Sequence, residues 1–404
     1  MVSNESLDSI FSKAMKGRTL FKNHRVLQSD YIPNHLPFRT GQISSIGEIL
    51  APILHGSKPS NLLVYGKTGT GKTAATRYVL SKLEDTCKTK SIPARFVYCN
   101  ARMSGTEYRT LAELALNIGL KIPFTGLAVT EVLSRVLQFM KENKLKTTFV
   151  IDEIDYLVKS YSDDLLYDLT NSSDKIAPGF LSLIGISNDL QFKEALGARV
   201  QSRLSEEELV FPPYSAEELR TILNERATIA LNKGVYTQGA INLCAALSGS
   251  EHGDARRAVD LLRIAGEIAE REGSSELEEK HVRIALQKID QDRVHEALST
   301  LPLHAKLVVL ASIYSNQEGA DPKSSSGHVY EKYCELCKKT GLEALTTRRV
   351  SGLLTELDTL GIVTATVVNY GRYGRTKKIT PQIQMSVAAK AFESDEGIKE
   401  LIKS

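Results

Sequence analysis

NLLVYGKTGTGKTAATRYVL, residues 61–80, joins an apolar run, a glycine-rich loop and a helix-forming run without interruption. The middle, Gly66-Lys67-Thr68-Gly69-Thr70-Gly71-Lys72-Thr73, is a complete G-x-x-x-x-G-K-[ST] motif in the strand–loop–helix setting that the motif requires. Gly66, Gly69 and Gly71 let the backbone curl so that its N–H groups converge on a phosphate chain. The helix beginning near Lys72 adds the positive end of its dipole, and Ala74 in its first turn is expected to contact the nucleotide with the loop. Lys72 is placed to reach terminal phosphates and the Thr73 hydroxyl to ligate Mg²⁺. The stretch predicts a nucleoside triphosphate site.

Outward from this loop, strand-like runs alternate with helical segments up to about residue 211. The strands predicted are Asn61–Tyr65, Arg95–Cys99, Thr147–Ile151, Leu181–Ile186 and Glu207–Phe211, a pattern of βαβ units and a mostly parallel sheet with helices on both faces. Thr147-Thr148-Phe149-Val150-Ile151-Asp152-Glu153 is an apolar strand ending in two carboxylates. Asp152 is expected to serve the Mg²⁺ shell and Glu153 to orient or deprotonate the attacking water. The alternative is that both merely cap the following helix. Asn188, at the end of the next strand, can donate and accept a hydrogen bond and so hold that water without adding charge.

Phe211-Pro212-Pro213-Tyr214 is a sharp break. Apolar residues then recur at spacings of three and four to about residue 290, the signature of a small all-α domain. From Leu301 the order is helix, polar loop, helix, turn, helix, and then two β-rich runs around Asn369, which is the order of a winged helix. Residues 344–380 hold six basic side chains against two acidic ones. Thr346, Thr347, Arg348 and Arg349 open the third helix, the end that meets base edges in helix-turn-helix proteins. Tyr370, Arg372, Tyr373, Arg375, Lys377 and Lys378 form a cationic tip suited to the minor groove and its phosphates. The competing reading is a hairpin whose charges protect an exposed edge.

The 404 residues, 42% hydrophobic and 25% charged with a net charge of +3, describe an ordinary globular chain of several domains. No apolar run reaches the roughly 18 residues needed to span a bilayer, and the N-terminal stretch lacks a hydrophobic signal core, so an intracellular, cytoplasmic protein is expected. Of the five cysteines only Cys334 and Cys337 have metal or redox spacing, and no second ligand pair accompanies them.

These pieces together resemble the AAA+ ATPases. The winged helix, Tyr31-Ile32-Pro33, Leu36-Pro37-Phe38-Arg39, Arg199 to Leu204 and Gly253-Asp254-Ala255-Arg256-Arg257-Ala258 narrow the resemblance. The narrower match is to archaeal replication initiators related to the first subunit of the eukaryotic origin recognition complex and the cell-division-cycle helicase loader. The resemblance implies an α/β AAA+ P-loop ATPase domain (residues 1–215), an all-α lid domain (216–294) and a C-terminal winged-helix domain (295–404). It implies ATP/ADP and Mg²⁺ as ligands, with Tyr31, Ile32, Pro33 and Tyr214 at the adenine. Arg256 is then the lid arginine that reaches the phosphates, and Arg199 or Arg203 a finger offered to a neighbouring subunit. Arg102 and Arg109, in the Ala101 to Lys146 interval, would approach the DNA backbone. Thr40 follows Arg39 where the family often has an acid, and Phe38 stands where histidine is common. The partners implied are double-stranded origin DNA, the replicative helicase and paralogous initiator subunits, with no membrane. An ATP-regulated transcriptional or mobile-element protein and a clamp-loader-like motor are the alternatives.

Overall fold

The computed structural model describes residues 19–28, 31–33, 35–123, 125–317, 325–369 and 375–403, which form two compact units divided between Ile284 and Ala285. In the first unit, β1 (Leu62–Tyr65), β2 (Ala94–Asn100), β3 (Lys146–Asp152), β4 (Phe180–Ser187) and β5 (Glu207–Val210) form one parallel sheet. Its order is β2-β3-β4-β1-β5. All five expected strands are present. β1 starts after Asn61 because that side chain works sideways: its amide donates to the Arg203 carbonyl (2.9 Å) and its Oδ1 accepts from Leu183 N–H (2.8 Å).

Strands β3 and β4 are buried on both faces, as a parallel sheet covered by helices requires. Successive side chains alternate between two cores. Val150, Ile184 and Ile186 pack with α1 (Thr40–Leu50) and α2 (Lys72–Thr89), while Phe149, Ile151 and Leu183 face the other side. There the 101–146 interval forms α3 (Ala101–Ser104), α4 (Glu107–Ile118) and α5 (Val129–Glu142), followed further on by α6 (Ile154–Ser160), α7 (Asp164–Asn171) and α8 (Ala198–Leu204). The register pairs Tyr65 with Ser187 and Asn100 with Asp152, which brings these strand ends to one carboxyl edge, where open α/β sheets bind ligands.

The helical region begins at α9 (Ala216–Ala230), opened by a reciprocal cap: Glu218 N–H donates to Ser215 Oγ and Ser215 N–H to Glu218 Oε2. It continues through α10 (Gln238–Glu251), α11 (Ala255–Glu272) and α12 (Glu279–Ser299), within which the division between units falls. The N-terminal segment lies on these helices. Lys22 N–H donates to Ala230 O (2.7 Å), Asn232 N–H to Leu20 O (2.9 Å), and the Phe21 ring fills the space a β-carbon on Gly266 would need.

The second unit holds α13 (Leu303–Gln317), α14 (Ser326–Thr340), α15 (Thr347–Thr359) and an antiparallel pair, β6 (Val363–Asn369) with β7 (Arg375–Pro381). Two closing helices beyond the expected winged-helix elements, α16 (Met385–Ala391) and α17 (Glu396–Lys403), contribute to its core together with Phe392 between them: Ala388, Ala391, Ile398 and Leu401 are their buried residues. Tyr333 is fully buried, its hydroxyl 2.8 Å from His304 Nδ1. All five cysteines are free, and Cys337 is a buried core residue. No described helix is long and apolar enough to cross a membrane.

Candidate functional site

A cavity of about 540 Å³ opens at the carboxyl edge of the sheet, within the usual range of roughly 300–1,000 Å³ for ligand sites. Gly69, Gly71, Lys72, Thr73 and Ala74 line one side. Gly66, Lys67, Thr68 and Thr70 shape the loop without lining the cavity: Thr70 is fully buried, its hydroxyl donating to Lys67 O at 2.9 Å. Gly71 (φ +92°) has the left-handed backbone that suits glycine, and a β-carbon there would meet the Tyr214 hydroxyl at 2.9 Å. Lys72 Nζ donates to Gly66 O (2.8 Å) and Lys67 O (2.7 Å). Burial lowers its pKa to about 8; Asp152 opposes this and the Arg256 charge adds to it. Both cations line the cavity, which favours a polyanion in it.

Asp152, 5% exposed, is fixed at three points. Its Oδ2 accepts from Thr73 Oγ1 and from the Tyr98 hydroxyl, each at 2.7 Å, and its Oδ1 from Glu153 N–H at 2.9 Å. Thr73 and Asp152 form a hard, oxygen-only donor pair, which fits Mg²⁺, an ion usually held by one or two carboxylates together with substrate phosphates. Glu153 precedes α6 with φ +52°, yet its side chain makes no cap hydrogen bond. The capping alternative therefore does not describe it. Its carboxylate receives Asn100 Nδ2 at 3.3 Å and lies 3.8 Å from Arg102. Asn188 lines the cavity, its main-chain N–H held by Asp155 Oδ1 at 3.3 Å. β4, the strand that Asn188 follows, lies between β3 and β1.

Tyr31, Ile32 and Pro33 line the opposite region together with Ile222, Arg226 and Ile229 of α9. Arg256 lines the cavity from α11. The lid meets the loop through Asp254 as well: it caps α11 by accepting from Arg257 N–H (3.1 Å), and its Oδ1 stands 1.7 Å from where a Gly69 β-carbon would lie. Ala255 N–H donates to Gly69 O at 3.1 Å.

Several site residues carry no mark in their type or spacing. Arg39, 2% exposed, donates from Nε to Thr70 O (2.9 Å) and from its two terminal nitrogens to Phe38 O (3.2 Å) and Pro212 O (2.6 Å). Its guanidinium covers the Tyr214 ring, 3.8 Å from the centroid. Arg226 stacks 4.7 Å from the Tyr31 centroid, donates to Val26 O, and has its pKa lowered by burial. Tyr98 and Asn100 also line the cavity, and burial raises the Tyr98 pKa. The apolar-strand pattern hid both, because only pairing of β2 with β3 puts them beside Asp152 and Glu153.

Arg199 and Arg203 do not line this cavity; both are exposed on α8. Arg109 is exposed on α4, whereas Arg102 sits beside Glu153. In the second unit, Thr346 caps α15 by accepting from Arg349 N–H, leaving Thr347, Arg348 and Arg349 exposed on its first turn. Lys377 Nζ donates to Thr355 Oγ1 at 3.2 Å, and Lys378 is half-buried on β7. Arg375 opens β7, while Tyr370, Arg372 and Tyr373 lie outside the described residues.

Three family models match the chain: an AAA domain over residues 55–192, a Cdc6 AAA+ ATPase-type lid domain over 220–287, and a CDC6 C-terminal winged helix domain over 296–391. The chain is 47% identical over 396 residues to ORC1-type DNA replication protein 1 of Sulfurisphaera tokodaii, covering 98% of each. It is 44% identical over 405 residues to the ORC1-type DNA replication protein of Thermococcus kodakarensis, covering 99% of this chain and 97% of that one. The solved structure of the Aeropyrum pernix ORC1 protein in complex with DNA superposes with a TM-score of 0.83 at 45% identity, over 94% of this chain and 98% of that one. A P-loop site at the carboxyl edge of a five-stranded parallel sheet, closed by a Cdc6-type lid and accompanied by a winged helix, agrees with these matches throughout: the chain belongs to the ORC1-type DNA replication protein family of AAA+ ATPases.

Proposed function

We propose that this protein is an ATP-binding replication initiator that binds duplex DNA at origins and helps to recruit or load the replicative helicase, with nucleotide acting mainly as a switch. The observation that carries the reading is the meeting of sheet and lid at one cavity: Asp152, Glu153 and Asn188 line it from the strand ends and Arg256 from α11. A triphosphate there would touch both regions, so its γ-phosphate would bias how they sit.

Lys72 and Arg256 supply positive charge to the phosphates, and the P-loop amides orient them. Bound Mg²⁺, held by Thr73 and Asp152, would neutralise charge on the phosphate oxygens. Glu153 accepts a proton from the attacking water, and Asn188 helps to orient that water. The Asn100 hydrogen bond to the Glu153 carboxylate, with the Arg102 cation nearby, supports slow turnover, since an engaged base accepts a proton poorly. Arg199 and Arg203, exposed on α8, remain available to a neighbouring subunit's site. The exposed first turn of α15 and the cationic β6–β7 hairpin supply the DNA-binding surface.

The test is capture of genomic fragments by purified protein with ATP or with ADP, followed by footprinting. Enrichment of one or a few intergenic loci is expected. Enrichment of many promoters would replace the reading with a transcriptional regulator. Brisk ATP turnover without enrichment over random duplex would replace it with a motor.

A further inference from the structure

Asp152 faces α2 from β3. Thr73 and Arg77 stand one turn apart on that helix, and Tyr98 faces it from β2, at the position paired with Val150. Four side chains thus form one contiguous set. Tyr98 Oη donates to Asp152 Oδ2 at 2.7 Å, beside the Thr73 hydroxyl that donates to the same oxygen at 2.7 Å. Arg77 lies over the Tyr98 ring, 3.8 Å from its centroid, and both residues line the cavity.

A carboxylate oxygen has two lone pairs. The two hydroxyls occupy both on Oδ2, while Glu153 N–H takes one on Oδ1. The carboxylate is therefore locked in rotation, with acceptor capacity left on Oδ1. Thr73 alone would leave it a single side-chain tether. Nothing in the residue types of the 94–100 run marks Tyr98 for this role, since a tyrosine in a parallel strand is normally core.

We propose that Tyr98 is a positioning residue for the cation-binding carboxylate, with Arg77 holding the phenol ring in place. It acts on how tightly the nucleotide-loaded site holds its divalent cation and leaves recognition of the nucleotide itself to the P-loop. The proposal rests on the cavity being a Mg²⁺–nucleotide site. Partners in the shell behind a metal ligand are typically worth about 10- to 100-fold in metal affinity, and a loss near the lower end is expected because Thr73 remains.

The experiment uses the full chain and Tyr98→Phe, which keeps the ring, its packing and the Arg77 stack and removes only the hydroxyl. Binding of a fluorescent ADP analogue is measured in EDTA and across a Mg²⁺ titration, and Mn²⁺ binding to the ADP-loaded protein is read directly by electron paramagnetic resonance. The expected result is unchanged affinity in EDTA, a half-saturating Mg²⁺ concentration raised about tenfold, and a matching loss of bound Mn²⁺. Arg77→Leu should shift the cation requirement the same way by a smaller factor. A Mg²⁺ midpoint for Tyr98→Phe within twofold of wild type overturns the proposal while leaving the nucleotide site standing. So does an equal loss of affinity in EDTA, which would make the hydroxyl a determinant of fold or nucleotide binding. If wild type itself needs no divalent cation for tight nucleotide binding, the reading of the cavity falls and the proposal with it.

Discussion

Replacing Arg39 with alanine is the most severe test of how the nucleotide site is built. The guanidinium is 2% exposed and joins three parts of the chain: the turn at Phe38, the P-loop at Thr70, and the strand-to-lid connection at Pro212 and Tyr214. A hydrogen bond from a charged donor contributes about 1.5–3 kcal/mol, and a desolvated cation–π interaction roughly 2 kcal/mol. Adding these overstates the effect, because interactions of one group are not additive and the substitution also removes the cost of burying the charge. What remains is the loss of a donor at three carbonyls, about 1–3 kcal/mol for each one left unsatisfied, which after the discount for non-additivity gives an expected destabilisation of about 3–5 kcal/mol. For a domain of this size each kcal/mol lowers Tm by about 2–4 °C. The calorimetric transition that ADP stabilises in wild type should therefore fall by roughly 6–20 °C, and ADP affinity should drop with it, since Thr70 is one of the three anchors. Arg39→Lys should recover little, because an ammonium cannot span three carbonyls as a planar fork does. A Tm decrease under about 3 °C with unchanged ADP affinity would refute the argument that Arg39 ties the loop to the lid connection.

Further outcomes are expected. Glu153→Gln should keep ATP bound and stop turnover, while Arg102→Ala, which removes the nearby cation but leaves the Asn100 hydrogen bond on the Glu153 carboxylate, should raise single-site turnover a few-fold at most; unchanged or lower turnover in the second variant would remove Arg102 as a restraint. Arg348→Ala with Arg349→Ala should lower duplex affinity and reduce the slope of log Kobs against log salt by about 0.9 for each phosphate that is no longer neutralised; an unchanged slope and affinity would take α15 off the DNA. Glu107, the first residue of α4, has an Oε1 that is buried without a partner, and burial together with Asp164 raises its pKa. A raised carboxyl value means that the ionised form burdens the fold at neutral pH and that this burden disappears as pH falls through the folded value towards the ordinary carboxylate range. Glu107→Gln should accordingly raise Tm at pH 7 by an amount that shrinks on acidification; a constant or inverted difference across that range would show that the charge is not the cause.

Local pattern carried much of the architecture. The strand–loop–helix around Gly66 to Thr73, the apolar strand ending at Asp152 and Glu153, and the 3.6-residue periodicity after Tyr214 each depend on residues close in the chain. So does the α15 start, because Thr346 caps from its own position. The closing helices α16 and α17 are harder to read, being short segments whose apolar residues gain meaning only against the α13–α15 core.

The sequence by itself determined that a phosphate-binding loop, a carboxylate-tipped strand, a helical lid and a basic winged helix follow one another, because spacing along the chain governs backbone conformation and capping. Only the tertiary structure decided which side chains complete the site. The order β2-β3-β4-β1-β5 sets Tyr98 and Asn100 beside Asp152 and Glu153, and the return of the N-terminal segment onto the lid sets Arg39 over Tyr214 and Arg226 over Tyr31. Such partnerships join residues far apart in the chain. They arise because buried guanidinium, hydroxyl and carboxylate groups must find partners once water is gone, a requirement that acts across space and leaves no periodic trace in the sequence.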